Sequence, residues 1–287
     1  MGVALGLGAA LSWGLADYFA AVASREVGAL RVVLGFHLAA LLPLAIAVLA
    51  TGALARLGLG ELVGFVLLGA VGWASYLAFY GALEIGPISV ISPIVSGYAA
   101  VTVVLAVIIV GESLSMAQAL SIGLTIAGAM VASADVRAIA HTRMERRSLL
   151  GLALALCAMG LLGAFVFGVS YYRGRLGWLA PIFLARGFAA VFLLAHVVAS
   201  GERRRPTRPA RLLTTMALLA ALDTGGYVCF NLGVGHAATA IVAAASAPYA
   251  VVPIIMGVSL FGERPTPVQL GGVAMVIAGV ITLGAVG

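Results

Sequence analysis

Residues 71–82 read VGWASYLAFYGA, and residues 222–233, LDTGGYVCFNLG, echo them at an offset of 151 positions. Tyr76 falls on Tyr227 and Phe79 on Phe230, while Trp73 and Tyr80 fall on Thr224 and Asn231. Positions 73, 76 and 80 stand at i, i+3 and i+7, so on a helix they share one polar-aromatic face, and the second copy presents the same face. The offset persists outward: Tyr98 maps to Tyr249, Gly111-Glu112 to Gly262-Glu263, Gln118 to Gln269 and Gly128 to Gly279. Upstream the register weakens, with Arg31 and Arg186 the best match between the second helices of the two copies.

What surrounds these faces is too apolar for a water-soluble fold. The chain is 63% hydrophobic and 9% charged, with a mean hydropathy of +1.18, against roughly 45–50% apolar and about 25% charged in soluble domains. A helix crossing a ~30 Å hydrocarbon core needs about 20 apolar residues. Punctuation by Gly, Pro and charge predicts ten such spans: 3–23, 30–51, 60–83, 88–110, 114–133, 148–170, 178–200, 211–232, 238–260 and 265–286. The predicted fold is an all-α integral membrane protein of ten transmembrane helices, built as two inverted five-helix repeats, 1–134 and 148–287, joined by a cytoplasmic linker at 135–147. Inversion follows from the odd number of crossings, because the second copy starts from the opposite side of the membrane.

Charge placement sets the orientation. One side carries twelve arginines, Arg25, Arg31, Arg137, Arg143, Arg146, Arg147, Arg203, Arg204, Arg205, Arg208, Arg211 and Arg264, and the other only Arg56, Arg173 and Arg175. By the positive-inside rule the rich side is cytoplasmic and both termini lie outside. The net charge of +6 and pI of 9.8 do not make a nucleic-acid binder, since no basic face lies on an amphipathic helix. All 16 basic residues are Arg, which fits GC-rich bacterial coding and places the chain in a bacterial cytoplasmic membrane. Cys157 and Cys229 sit within apolar segments and imply neither disulfide nor metal. Ala21-Val22-Ala23 looks like a signal-peptidase site, but no basic residue precedes it and Asp17 interrupts the run, so a retained first helix is expected.

The chain resembles the drug/metabolite transporter superfamily, specifically its ten-helix EamA-type members. The likeness rests on Ser12-Trp13-Gly14 in the first helix, Arg31 and Arg186 in the second helices, small-residue fourth and ninth helices, and the pairs Gly111-Glu112 and Gly262-Glu263, each followed by a Gly/Ala-rich final helix. The second copy has no Trp-Gly near Met159-Gly160. The resemblance implies transport of amino acids, metabolites or drugs through a central cavity lined by helices one, three and four and their second-half partners.

Candidate residues divide by how much a membrane penalises them. A charge at helix centre costs about 2.5–3.5 kcal/mol on the insertion scale, and Asp17, Arg186 and Asp223 stand inside predicted spans. Asp223 is the predicted proton-coupling residue, with Asp17 or Arg186 as its partner; the alternative is a fixed Asp223–Arg186 ion pair holding helices together. Asp17 divides between cavity and boundary. The predicted substrate-binding set is Trp13, Asp17, Trp73, Tyr76, Tyr80, Arg186, Tyr227, Asn231 and Tyr249. Glu112 and Glu263, at helix ends, are read as caps, and His37 as structural or a relay. Gly123/Ala127 and Ala274/Ala278 are read as small-xxx-small packing pairs, internal or within a homodimer.

The predicted function is secondary transport, namely export, of a small organic solute by alternating access, proton-coupled through an intramembrane Asp. A passive facilitator is the runner-up, and an intramembrane enzyme is disfavoured because ionisable residues are scattered rather than clustered. No Walker loop or redox motif occurs, so neither cofactor nor metal is called for. The partners are the solute and the lipid bilayer. The orientation is testable: Asp135→Cys and Thr207→Cys, in a background lacking Cys157 and Cys229, are expected to resist a membrane-impermeant thiol reagent on intact cells. Ready labelling would put those loops outside.

Overall fold

The computed structural model describes residues 1–86, 88–133, 146–200, 209–252 and 266–286. The first half contributes α1 (Gly2–Val27), α2 (Ala29–Thr51), α3 (Leu59–Ile85), α4 (Ile88–Ser96), α5 (Tyr98–Leu105) and α6 (Met116–Ser133). The second contributes α7 (Arg146–Tyr171), a single turn α8 (Arg173–Leu176), α9 (Leu179–Ser200), α10 (Pro209–Val234), α11 (Thr239–Ser246) and α12 (Pro267–Val286). Among the described residues there is no strand.

Among the described residues seven helices are long and apolar enough to cross a membrane, and three shorter apolar ones, 94–110, 116–132 and 239–249, stand where the fourth, fifth and ninth spans are predicted. The fourth is interrupted at Gly97, between α4 and α5, then loosens into a π-turn at Ala106–Val110 that ends on left-handed Gly111 (φ 76°). The ninth passes from α11 into a 3-10 turn, Ala247–Val251, with Pro248 in its first turn. Gly97 and Pro248 are separated by the same 151 positions as the rest of the repeat. Glu263, Arg264, the second Gly-Glu pair, and the loop residues 134–145 and 201–208 with their arginines lie outside the described residues.

Small residues stand in many of the helix contacts, and many large aliphatic ones face outward. Ala9, Ala16 and Ala20 of α1 are buried, while Leu42, Leu49, Val198 and Ile281 are 67% to 78% exposed. Lipid tails are as apolar as Leu, so nothing drives Leu inward, whereas small residues let helix backbones approach. Contacts between the halves are reciprocal. α1 packs along α10 and α3 along α7, while α2 meets α9, α5 meets α11 and α6 meets α12.

The α6–α12 seam shows how close the approach is. Ser121, Thr125, Gly128 and Ala132 meet Gly272, Val276, Gly279 and Leu283, the same positions moved by 151. A Cβ on Gly128 would stand 2.7 Å from the Val276 nitrogen and 2.9 Å from the Gly272 carbonyl oxygen. Packing within the chain does not use the predicted pairs: Gly123, Ala127, Ala274 and Ala278 are exposed, and nothing lies within 4 Å of a Cβ at Gly123. Two positions along a helix turn a side chain by about 200°, so a stripe offset by two points the opposite way. The arginine match also fails in depth, since Arg31 lies in the first turn of α2 and Arg186 two turns into α9.

Glu112 performs the capping duty expected of it, across the halves. Its carboxylate accepts hydrogen bonds from the Thr239 amide (2.7 Å) and the Ala240 amide (2.9 Å), satisfying the first turn of α11.

Two substitutions separate the buried stripe from the exposed one. Gly128→Ile is expected to lower stability by about 1–3 kcal/mol or more, and Gly123→Ile to change it by no more than about 0.5 kcal/mol. Thermal unfolding in detergent reads both.

Candidate functional site

Five helices and the 3-10 turn converge on one cavity. Its walls are Trp13 and Asp17 of α1, Tyr76 and Phe79 of α3, Tyr98 of α5, Leu162 and Val166 of α7, Asp223 and Tyr227 of α10, and Tyr249 of the turn. About 40 Å³ is open to the centres of water molecules, room for roughly three waters at about 10–15 Å³ each. An organic solute needs a wider state than this one.

Local sequence explains how the walls reach their places. A Cβ on Gly226 would collide with the Trp13 indole, so the glycine opens the groove into which that ring sits. Trp13 Nε1 donates to the Asp223 carbonyl at 3.2 Å, and its ring meets Tyr227 edge-on at 5.0 Å and Tyr98 at 6.0 Å. Tyr98 and Tyr249 each follow the break in their own helix, and their rings stand 5.7 Å apart. The Tyr98 hydroxyl pairs with Ser246 Oγ at 2.7 Å.

Charge is arranged asymmetrically around the cavity. Arg186, 2% exposed, pairs through Nη2 with Asp223 Oδ2, and Asp223 is itself 5% exposed. The guanidinium lies 5.9 Å from the centre of the Phe36 ring and 5.4 Å from that of Tyr227, an arrangement favourable to a desolvated cation. The Tyr76 hydroxyl is 3.2 Å from Asp223 Oδ1 and 3.2 Å from the Tyr227 hydroxyl. Having a single proton, Tyr76 gives it to the carboxylate, the stronger acceptor of the two oxygens it faces. Asp223 is thus met by a cation and a phenol. Asp17 is met by neither: it is 7% exposed, and its Oδ2 has no hydrogen-bond partner. Tyr249 Oη likewise lacks one.

His37 of α2 stacks beside this cluster, 4.9 Å from the Tyr76 ring. Its Nδ1 lies 2.8 Å from the Val33 carbonyl and therefore donates, while buried Nε2 is unpartnered.

The nine sequence-derived binding residues separate into three groups. Trp13, Asp17, Tyr76, Tyr227 and Tyr249 line the cavity, as does Asp223. Arg186 stands behind Asp223, Tyr80 packs beside Tyr76 against Phe36, and Asn231 turns its amide back to the Tyr227 carbonyl at 3.0 Å. Trp73 is directed elsewhere, donating to His196 Nδ1 at 3.3 Å beside Phe192 of α9. Periodicity marks a helix face but not which flank of it a neighbouring helix covers, and α9 covers that flank. Sequence reasoning left out Phe79, Tyr98, Leu162 and Val166. The repeat signalled Tyr98, as the counterpart of Tyr249, and Phe79, as that of Phe230; nothing in the sequence marked the two aliphatic residues.

Fold and site define a multi-pass helical membrane protein with a polar-aromatic cavity buried where its two halves meet. The EamA-like transporter family model matches residues 1–134 and 149–285, and the chain belongs to that family, whose activity is membrane transport of small solutes. Among solved structures 29 chains match, including a crystal structure of a protein 16% identical, with a TM-score of 0.75 over 99% of this chain and 96% of that one. No curated protein matches.

Removing one partner from a buried ion pair strands the other, at about 3–5 kcal/mol. Asp223→Asn and Arg186→Gln are each expected to destabilise by that order, and the double variant by less than their sum. Additive losses in thermal unfolding would show that the two charges do not support each other.

Proposed function

We propose that this chain is a secondary transporter that exports a small organic solute from a bacterial cytoplasm, by alternating access of two inverted five-helix halves around the Trp13–Asp17–Asp223 cavity. The observation that carries the reading is the cavity itself, buried, polar on one side and walled by equal contributions from the two halves. Reciprocal packing of the halves supports the inverted repeat and ten crossings. So do the two broken helices, since interrupted helices at a repeat interface form solute sites in other carriers.

We assign proton coupling to Asp17 rather than to Asp223, the residue expected from the sequence, because Asp223 is held as a carboxylate by Arg186. Asp223 has its charge balanced by Arg186, whereas Asp17 lines the cavity and its Oδ2 is unpartnered. An uncompensated buried carboxylate is balanced by a proton or by a cation, and exchange of one for the other is the coupling step. The passive facilitator shares the cavity but gives this lone carboxylate nothing to do.

Flux of a labelled metabolite panel from proteoliposomes, with and without a pH gradient, tests the reading. Wild type is expected to move at least one solute faster under the gradient, and Asp17→Asn to lose that response. Gradient-independent flux in wild type would support the facilitator, and no flux for any solute would end the transport reading.

A further inference from the structure

We propose that the cavity selects an organic monocation, an amine or quaternary ammonium, held by Asp17 inside the rings of Trp13, Tyr98, Tyr227 and Tyr249. This rests on the cavity being the solute site and adds the chemical class of the solute.

A charge inventory carries the argument. Among the described residues three side chains that carry charge are buried together here, Asp17, Asp223 and Arg186, beside His37, whose Nδ1 donates to the Val33 carbonyl while its buried Nε2 has no acceptor, as in the neutral ring. Arginine keeps its charge in any protein environment, and that charge is matched by Asp223. Arg186 also stands behind Asp223 rather than in the cavity wall. The remaining charge is that of Asp17, on the cavity side, with Oδ2 unpartnered. Around it stand Tyr80 of α3, Tyr98 of α5, Tyr249 of the turn and Asp223 of α10, none of them cationic. Arg25, two turns further along α1, is directed to the carbonyls of Leu83 and Gly86.

The site with Asp17 ionised is therefore one positive charge short. A monocation supplies it. A zwitterion brings a carboxylate as well, for which the wall holds no free cation among the described residues, and an uncharged solute leaves Asp17 unmatched. The walls favour the same choice, since Trp and Tyr faces attract cations, most strongly where water is excluded. Trp13, Tyr98 and Tyr249 are each at least nine-tenths buried.

Calorimetric titration of the purified full chain in detergent tests this with two matched series. Choline is compared with its uncharged isostere, in which carbon replaces nitrogen, and with glycine betaine; phenethylammonium is compared with phenethyl alcohol and phenylalanine. At least one cation is expected to bind about tenfold or more tightly than both of its counterparts. Its binding should release protons, seen by repeating the titration in buffers of different ionisation enthalpy. Asp17→Asn should weaken the cation about tenfold or more; if that variant does not fold, the wild-type series alone decides. Failure of both cations to bind, equal affinity for a zwitterion or neutral isostere, or undiminished binding by folded Asp17→Asn would overturn the assignment. Should proteoliposomes move phenylalanine while neither cation binds, the cation class is wrong and the transport reading stands. Should nothing on the panel move, the transport reading fails instead.

Discussion

A guanidinium two turns inside a membrane helix has to be met by an anion, because neither lipid nor water can match its charge there. Arg186 meets Asp223, and much of the centre follows from that pair. It fixes α9 against α10. Tyr76 joins α3 to it through the carboxylate, and Trp13 joins α1 through the carbonyl of the same aspartate. Phe36 and Tyr227 give the cation its aromatic faces. Because the pair is internally neutral, Asp17 is left as the cavity carboxylate with an unpartnered oxygen.

Around that centre the fold relies on backbone proximity rather than on hydrophobic drive. Gly128, its repeat counterpart Gly279, and Gly272 let α6 and α12 touch backbone to backbone. Many alanines stand in the helix contacts while Leu42, Leu49, Val198 and Ile281 face outward, as expected where lipid is as apolar as leucine. The α6–α12 seam has no titratable group on either of its facing stripes, which suits a fixed frame. The cavity, in contrast, takes one wall residue from each interrupted helix, Tyr98 and Tyr249, and freed backbone groups tolerate rearrangement where they line a polar space.

Much of this was legible in the sequence, for identifiable reasons. The offset of 151 carried real spatial information: it related Tyr76 to Tyr227, whose hydroxyls meet, and Tyr98 to Tyr249, whose rings meet. Buried charge singled out Asp17, Asp223 and Arg186, since the membrane penalises each. Where only one helix spoke, the reading went astray. Trp73 shares a face with Tyr76 but is covered by α9, and Gly123/Ala127 satisfies a packing pattern on the side that faces away from α12. Leu162 and Val166 became wall residues through where α7 crosses α5, a relation that no local pattern encodes.

The central claim is that one cavity between the halves opens to the two sides of the membrane in turn. Leu162→Cys, in a background without Cys157 and Cys229, places a thiol in its wall. Impermeant thiol reagent applied to right-side-out and to inside-out vesicles should label that cysteine from both sides, and a transported solute should slow labelling from each. Labelling from one side only, or from both with no protection by any transported solute, would contradict the account.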